Sequence, residues 1–236
     1  MISDIYLAIT KKRFNRSEPF LQDQLKESIK NSVARNEPLK LVGFWGIGHK
    51  KNVNWAERET VQFFSKLKES LIKVHKPGVE CTFVFASPHA VHNGVDTDAM
   101  KEYITQMERL FKQFNFKWAY LNQLWEKYYL SLEKIEKVLN GKPANWWQHV
   151  PYANVLEELA KGRNHRLPAK IAAQKYVVIR ELEKKILEKE FAGHIFHTYL
   201  DARFSYLLPM LPTLHLYSYR KGRSESPWFI YEEKSQ

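Results

Sequence analysis

Apolar positions along the chain fall into short continuous runs that alternate with stripes spaced by three and four. Leu39–Trp45 is an apolar run between Pro38 and Gly46, the signature of a buried strand. Asn54 and Glu57 form a capping-box pattern that opens a helix with Val61, Phe64, Leu67, Leu71 and Val74 on one face, and Pro77-Gly78 stops it. Val79–Ala86 reads as a second strand, rich in Thr, Phe and Val. A polar loop is expected over Ser87–Asp96, and Asp96 or Thr97 caps the next helix. That helix carries Met100, Tyr103, Ile104, Met107, Leu110, Phe111 and Phe114. Phe116–Leu121 is the third strand. Strand, helix, strand, helix, strand over residues 39–121, with strands apolar on both faces, argues for parallel pairing through right-handed crossovers.

The flanks are less regular. Residues 1–20 read as a weakly patterned arm, and Phe20–Arg35 as an amphipathic helix. Residues 122–165 look like a helical insertion, with Ser131 starting a short helix and Trp146-Trp147 in a linking stretch. A long helix is expected from Pro168 to about Glu190, with Ala172, Tyr176, Ile179 and Ile186 on one stripe and Leu182 beside them. Its charged stretch Glu181–Glu190 carries both signs and reads as a solvated face. Ile195–Leu200, Leu214–Tyr219 and Trp228–Tyr231 are the late strand candidates, before a frayed tail at Glu232–Gln236. Residues 1–236 are read as a single α/β domain in which residues 168–231 supply the long helix and the C-terminal strands.

Composition narrows the classes. A 44% hydrophobic and 14% aromatic share excludes a globally disordered chain. No apolar run approaches the ~20 residues of a bilayer span, so no membrane partner is expected. The N-terminal charges follow rather than precede the short apolar patch, so no signal peptide is read there. A lone cysteine, Cys81, fits a reducing, cytoplasmic setting. The formal net charge of +11 favours anionic partners, whether nucleic acid or phosphorylated small molecules.

An open parallel sheet binds ligands outside the carboxyl ends of its strands, where strand order reverses. The loops at those ends carry His49, Lys50, Lys51, Ser87, His89, His92, Asn93, Asp96, Asn122 and Glu126. Gly46-Ile-Gly48-His-Lys-Lys51 lacks the third glycine of a dinucleotide fingerprint and the Gly-Lys-Ser/Thr of a P-loop. It stands either as a ligand loop or as a turn with solvated lysines. His89 and His92 suit a substrate pocket better than a metal, because no cysteine lies near and a third ligand would have to be Asp96 or something remote. His194 and His197, three apart on a strand, face opposite sides, so at most one addresses a given site. Lys161, Arg163, Arg166, Lys170 and Lys175 sit in a segment without an acid, leading into the amino end of the long helix, where an anion is favoured. Arg180 and Arg203 lie downstream. Aromatics interleave with cations, as in Phe116-Lys-Trp118, but their spacing is that of a core rather than of a stacking platform. Neither a Gly-x-Ser-x-Gly elbow nor an exposed cysteine supports covalent hydrolase chemistry.

Four ordered segments carry a resemblance. They are Pro38–Lys50 with Asn54–Glu57 and Phe64–Leu67, then Ile72–Gly78 with Thr82–Ala86, then Lys175-Tyr176 through Arg180–Glu183, and finally Ser226–Phe229. In this order the chain resembles the pyoverdine/dityrosine biosynthesis family, the isocyanide synthases. The resemblance implies a Rossmann-like, mostly parallel sheet flanked by helices. It also implies a reaction that turns the amino group of an aromatic amino acid into an isocyanide with a carbon from ribulose 5-phosphate. No cofactor is implied. Lys50 would correspond to the family's loop lysine, Arg180 to its helix arginine and His197 to a histidine on its late strand. The loop Ser87-Pro-His-Ala lacks the family's acid, and Phe229 stands where the family ends its motif in histidine. A sugar-phosphate or amino-acid ligand is therefore better supported than the exact reaction.

The expectation is a small-molecule enzyme of this type. Lys50, His89, His92 and His197 are its catalytic candidates. His49, Asn93, Arg163, Arg166, Lys170, Arg180 and Arg203 are its substrate or phosphate ligands. The alternative is a tRNA- or RNA-binding protein. Cyclodipeptide synthases are similar in length, charge and organisation, but their nucleophilic serine follows the first strand, where this chain has Trp45-Gly-Ile-Gly48.

Overall fold

The computed structural model describes residues 1–12, 14–15, 17–48, 51–161, 167–200 and 202–216. Two helices come first, α1 (Ile2–Ile9) and α2 (Gln22–Arg35). The central unit then runs β1 (Leu39–Trp45), α3 (Trp55–Ile72), β2 (Val79–Phe85), α4 (Ser87–His92), α5 (Thr97–Gln113) and β3 (Lys117–Tyr120). Helices α6 (Leu121–Lys127), α7 (Leu132–Asn140) and α8 (Ala153–Lys161) follow, then the long α9 (Ala169–Glu190), β4 (Ile195–Thr198) and β5 (Thr213–His215). The five strands form one sheet in the order β3-β2-β1-β4-β5, and every pairing is parallel. This is a Rossmann-like α/β architecture whose strand order reverses between β1 and β4.

Alternation along the strands divides the core into two layers. Leu39, Leu41 and Trp45 of β1 join Cys81, Phe83 and Phe85 of β2 against α1, α2, α3 and α5. Val42, Val84 and Phe196 face the other way, onto α6 and α9, with Phe44 packed beside them. A third cluster, around Trp147, Leu156 and Phe204, docks α8 on the first half of α9. The capping box of α3 is formed by Asn54 and Glu57, and Asp96 caps α5 through its bond from Ala99 N at 2.8 Å.

Three segments differ from their sequence reading. The arm contains a helix, because Ile5, Ala8 and Ile9 form a short apolar stripe that the first layer buries. Residues 87–92 are helical rather than a loop. Pro88 is compatible with a first helical turn, and the Ala86 carbonyl accepts from the backbone of His89 and Ala90. Trp146-Trp147 opens a 3₁₀ turn (Trp146–His149), pinned where Trp147 Nε1 donates to Glu157 at 2.6 Å. The candidate strand Trp228–Tyr231, the Ser226–Phe229 segment and the tail lie outside the described residues.

His197 belongs to the first layer. Its ring sits 4.7 Å from the centroid of Phe64 and 5.6 Å from that of Phe83, and neither ring nitrogen has a hydrogen-bond partner among the described residues. Burial pushes its imidazole down to about 3. The unfolded chain therefore binds a proton that the folded chain refuses. Stability present above the ordinary value of 6.5 is lost as pH falls from there towards 3. Between pH 7 and pH 5 this amounts to roughly 2 kcal/mol. Urea unfolding of His197→Leu at both pH values should show that loss largely abolished.

Candidate functional site

The carboxyl edge of the sheet gathers polar side chains on the α9 face. Helix α4 starts as soon as β2 ends, so its first turn leans over the end of β1. There the imidazole of His89 lies 5.4 Å from Phe44 and 6.2 Å from Tyr176, centroid to centroid. Its Nε2 is 2.8 and 2.9 Å from the two carboxylate oxygens of Glu183, which α9 delivers from the opposite side. Glu183 is fully buried and also accepts from Trp125 Nε1 at 3.0 Å and from Arg180 Nη1 at 3.2 Å. The Arg180 guanidinium carbon lies over Phe44, 4.6 Å from the ring centroid, and its buried Nε has no partner among the described residues.

Electrostatics follow from this packing. Burial alone would raise the Glu183 carboxyl. His89, Arg180 and Trp125 together outweigh it and hold the group below its ordinary value, as a carboxylate. A carboxylate fixed on one ring nitrogen orients an imidazole for proton transfer at the other. One turn further along α4, His92 hydrogen-bonds the backbone of Ala172 in α9. Burial, aided by the nearby His89, keeps its imidazole below the ordinary range and so neutral. The helix thus presents two histidines in unlike surroundings. Ser87 Oγ donates to Asn122 Oδ1 at 3.2 Å, which ties the first turn of α4 to the first turn of α6.

Of the residues singled out by sequence, His89, His92 and Arg180 come together, with Asn93 half-buried at the end of α4. Lys170 is exposed in the first turn of α9. Arg203 is exposed beside Tyr152 and Phe204, against the α8 cluster. His197 is not brought to this cluster. It pairs in register with Gly43 and points to the opposite face of the sheet from Phe44. His49, Lys50, Arg163 and Arg166 lie outside the described residues. The basic segment is less unbalanced in space than along the chain, since Lys161 pairs with Glu158 and Lys175 with Glu136.

Sequence reasoning missed Glu183, Trp125, Phe44 and Tyr176 as members of one cluster. Glu183 was hidden in a charge run of both signs, yet it sits four residues after Ile179 and three before Ile186, inside the core stripe of its helix. Among the described residues no group of three or more His, Cys, Asp or Glu side chains could hold a metal ion. No described helix is long and apolar enough to cross a membrane.

A parallel sheet between helical layers, with polar groups collected at its carboxyl edge, defines the Rossmann-like class. Solved structures share it. The PvcA protein from Pseudomonas aeruginosa superposes with a TM-score of 0.62 at 13% identity, covering 96% of this chain and 87% of that one. Tyrosyl-tRNA synthetase from Archaeoglobus fulgidus, solved in complex with L-tyrosine, gives a TM-score of 0.52 at 16% identity over 91% of this chain and 63% of its own. At such identities the likeness is one of fold. No protein-family model and no curated protein matches the sequence.

Proposed function

We propose that the chain is a small-molecule biosynthetic enzyme resembling the isocyanide synthases, acting on an amino acid and a sugar phosphate. The observation that carries this reading is His89 held by the buried Glu183 at the carboxyl edge, with Arg180 alongside. His89 serves as the oriented acid/base group and His92, kept neutral, as its counterpart. Arg180 and Lys170, with Arg163, Arg166, Lys50 and His49 as the sequence assigns them, receive the anionic groups of the substrates. Asn93 lies at the rim of the same helix. The fold shared with PvcA accords with the family resemblance of the four sequence segments. An amino-acid ligand accords with the fold shared with a synthetase that binds L-tyrosine.

Isothermal titration of the intact chain with L-tyrosine and ribulose 5-phosphate tests the reading. Binding of at least one is expected, and Lys50→Ala and Arg166→Ala should each abolish sugar-phosphate binding at unchanged melting temperature. Binding of neither ligand by the unaltered chain rejects the proposal.

The net charge of +11 favours a second reading, tRNA or RNA binding. Its mark is salt dependence, with log affinity for single strands falling ~0.7 per phosphate contacted for each tenfold rise in salt. Tight, steeply salt-dependent binding of tRNA without response to the small molecules would favour it over the enzyme.

A further inference from the structure

Where α4 meets α9, one proton changes both the charge and the sense of hydrogen bonding. His89 Nε2 faces Glu183, which as a carboxylate only accepts, so Nε2 carries a hydrogen. The other ring nitrogen, Nδ1, has no partner among the described residues, and the side chain keeps 17% of its surface exposed. In the neutral ring Nδ1 presents a lone pair, which repels an anionic oxygen. In the protonated ring it offers an N–H to the same oxygen. The surrounding charges leave that choice to His89. From α9, Arg180 and Glu183 form an ion pair at 3.2 Å and cancel, and Tyr176 brings a phenol ring. From α4, His92 is held neutral by its burial, and Lys175, which acts on His92, is paired with Glu136 of α7. Strand β1 and helix α6 contribute the uncharged Phe44 and Trp125. These groups sum to no net charge with His89 neutral and to a single positive charge with His89 protonated.

We propose that the α4–α9 junction is a proton-coupled anion site, which takes the carboxylate or phosphate of its ligand together with a proton on His89. That a substrate's anionic group comes here rests on the proposed function, whereas the coupling rests on the arrangement of charges. By linkage, a bound anion raises the titration midpoint of His89. Reciprocally, affinity for the anion is greatest at low pH and falls about tenfold per pH unit above the midpoint of the free protein.

Inorganic sulfate, which does not titrate near neutral pH, tests the coupling without a substrate. Its binding is followed at the Arg180 Nε–H and His89 ring resonances of the labelled intact chain between pH 5.5 and pH 8.5. Saturable shifts are expected, with an affinity that falls at least tenfold across that range and a His89 midpoint raised by about one unit at saturation. His89→Gln keeps a donor for Glu183 and cannot take the proton, so its sulfate affinity should be weak and independent of pH. His92→Gln should retain the pH dependence. No shift at either resonance at pH 5.5, an unmoved His89 midpoint at saturation, or a pH dependence that survives in His89→Gln overturns the coupling. Competition assigns the substrate group: sulfate displaces ribulose 5-phosphate where the phosphate sits on His89, and L-tyrosine where the carboxylate does. Displacement of neither from a chain that binds both overturns the junction as the substrate's anion site. A chain that shows the sulfate coupling and binds neither substrate loses the proposed function and keeps the coupling.

Discussion

Glu183→Leu should destabilise the protein by about 3–5 kcal/mol, because it strands the buried Arg180 guanidinium without its counter-charge. The Trp125 indole and His89 lose their acceptor in the same step. For a chain of this length the loss corresponds to a fall in melting temperature of roughly 10 °C or more. The double variant Arg180→Met/Glu183→Leu should recover much of it, since an apolar pair replaces a buried ion pair at little cost. The charge also gives the effect a pH signature. Glu183 is held below its ordinary 4.5 in the folded chain, so its contribution is present above that value and is lost as pH falls through the lowered one. Thermal unfolding from pH 7 to pH 3 should show this acid-sensitive component in wild type and its absence in Glu183→Leu. Equal melting temperatures for wild type and Glu183→Leu at pH 7 would mean that the carboxylate does not organise the cluster.

On the other face of the sheet, Gly43→Ala should cost about 3 kcal/mol for a purely steric reason. Gly43 lies within β1, in extended backbone that any residue adopts, so no conformational preference is at stake. A Cβ there would stand 2.2 Å from Cε1 of His197, 2.4 Å from Nδ1 and 2.6 Å from Nε2. The ring cannot withdraw, because Phe64 and Phe83 pack against it. Truncating the ring tests the explanation. Gly43→Ala in a His197→Ala background should be far milder, with a coupling of about 1–3 kcal/mol in the double-mutant cycle measured by urea unfolding. An equal penalty in both backgrounds would place the strain elsewhere.

The contrast between these two buried groups shows how far the sequence could be read. The parallel sheet was legible because β1 and β2 are continuous apolar runs separated by capped helices with clean stripes, and each of those signals is local. The extent of the long helix was legible for the same reason, with Pro168 as its N-cap and Phe191 as its C-cap. Orientation across the sheet was harder. His197 is a site candidate only through the resemblance, which matches it to a histidine on the family's late strand. Its face depends on register, which places it opposite Gly43 and away from Phe44. The residue least legible was Glu183. Charged residues in a mixed run are ordinarily solvated, and only its place in the stripe of Ile179 and Ile186 marks it as buried. His89 was found by position, as a polar residue after a strand. Its partner could not be, because the two are 94 residues apart and only the tertiary fold joins them.

The proposed function puts its ligand at the α4–α9 junction. Side-chain NMR of the intact protein, with histidine and arginine labelled, follows this directly as ribulose 5-phosphate and L-tyrosine are added. Saturable shifts of the His89 and Arg180 resonances, with His197 unmoved, are the predicted outcome. Shifts confined to groups remote from that junction, or none at all for either compound, would contradict it.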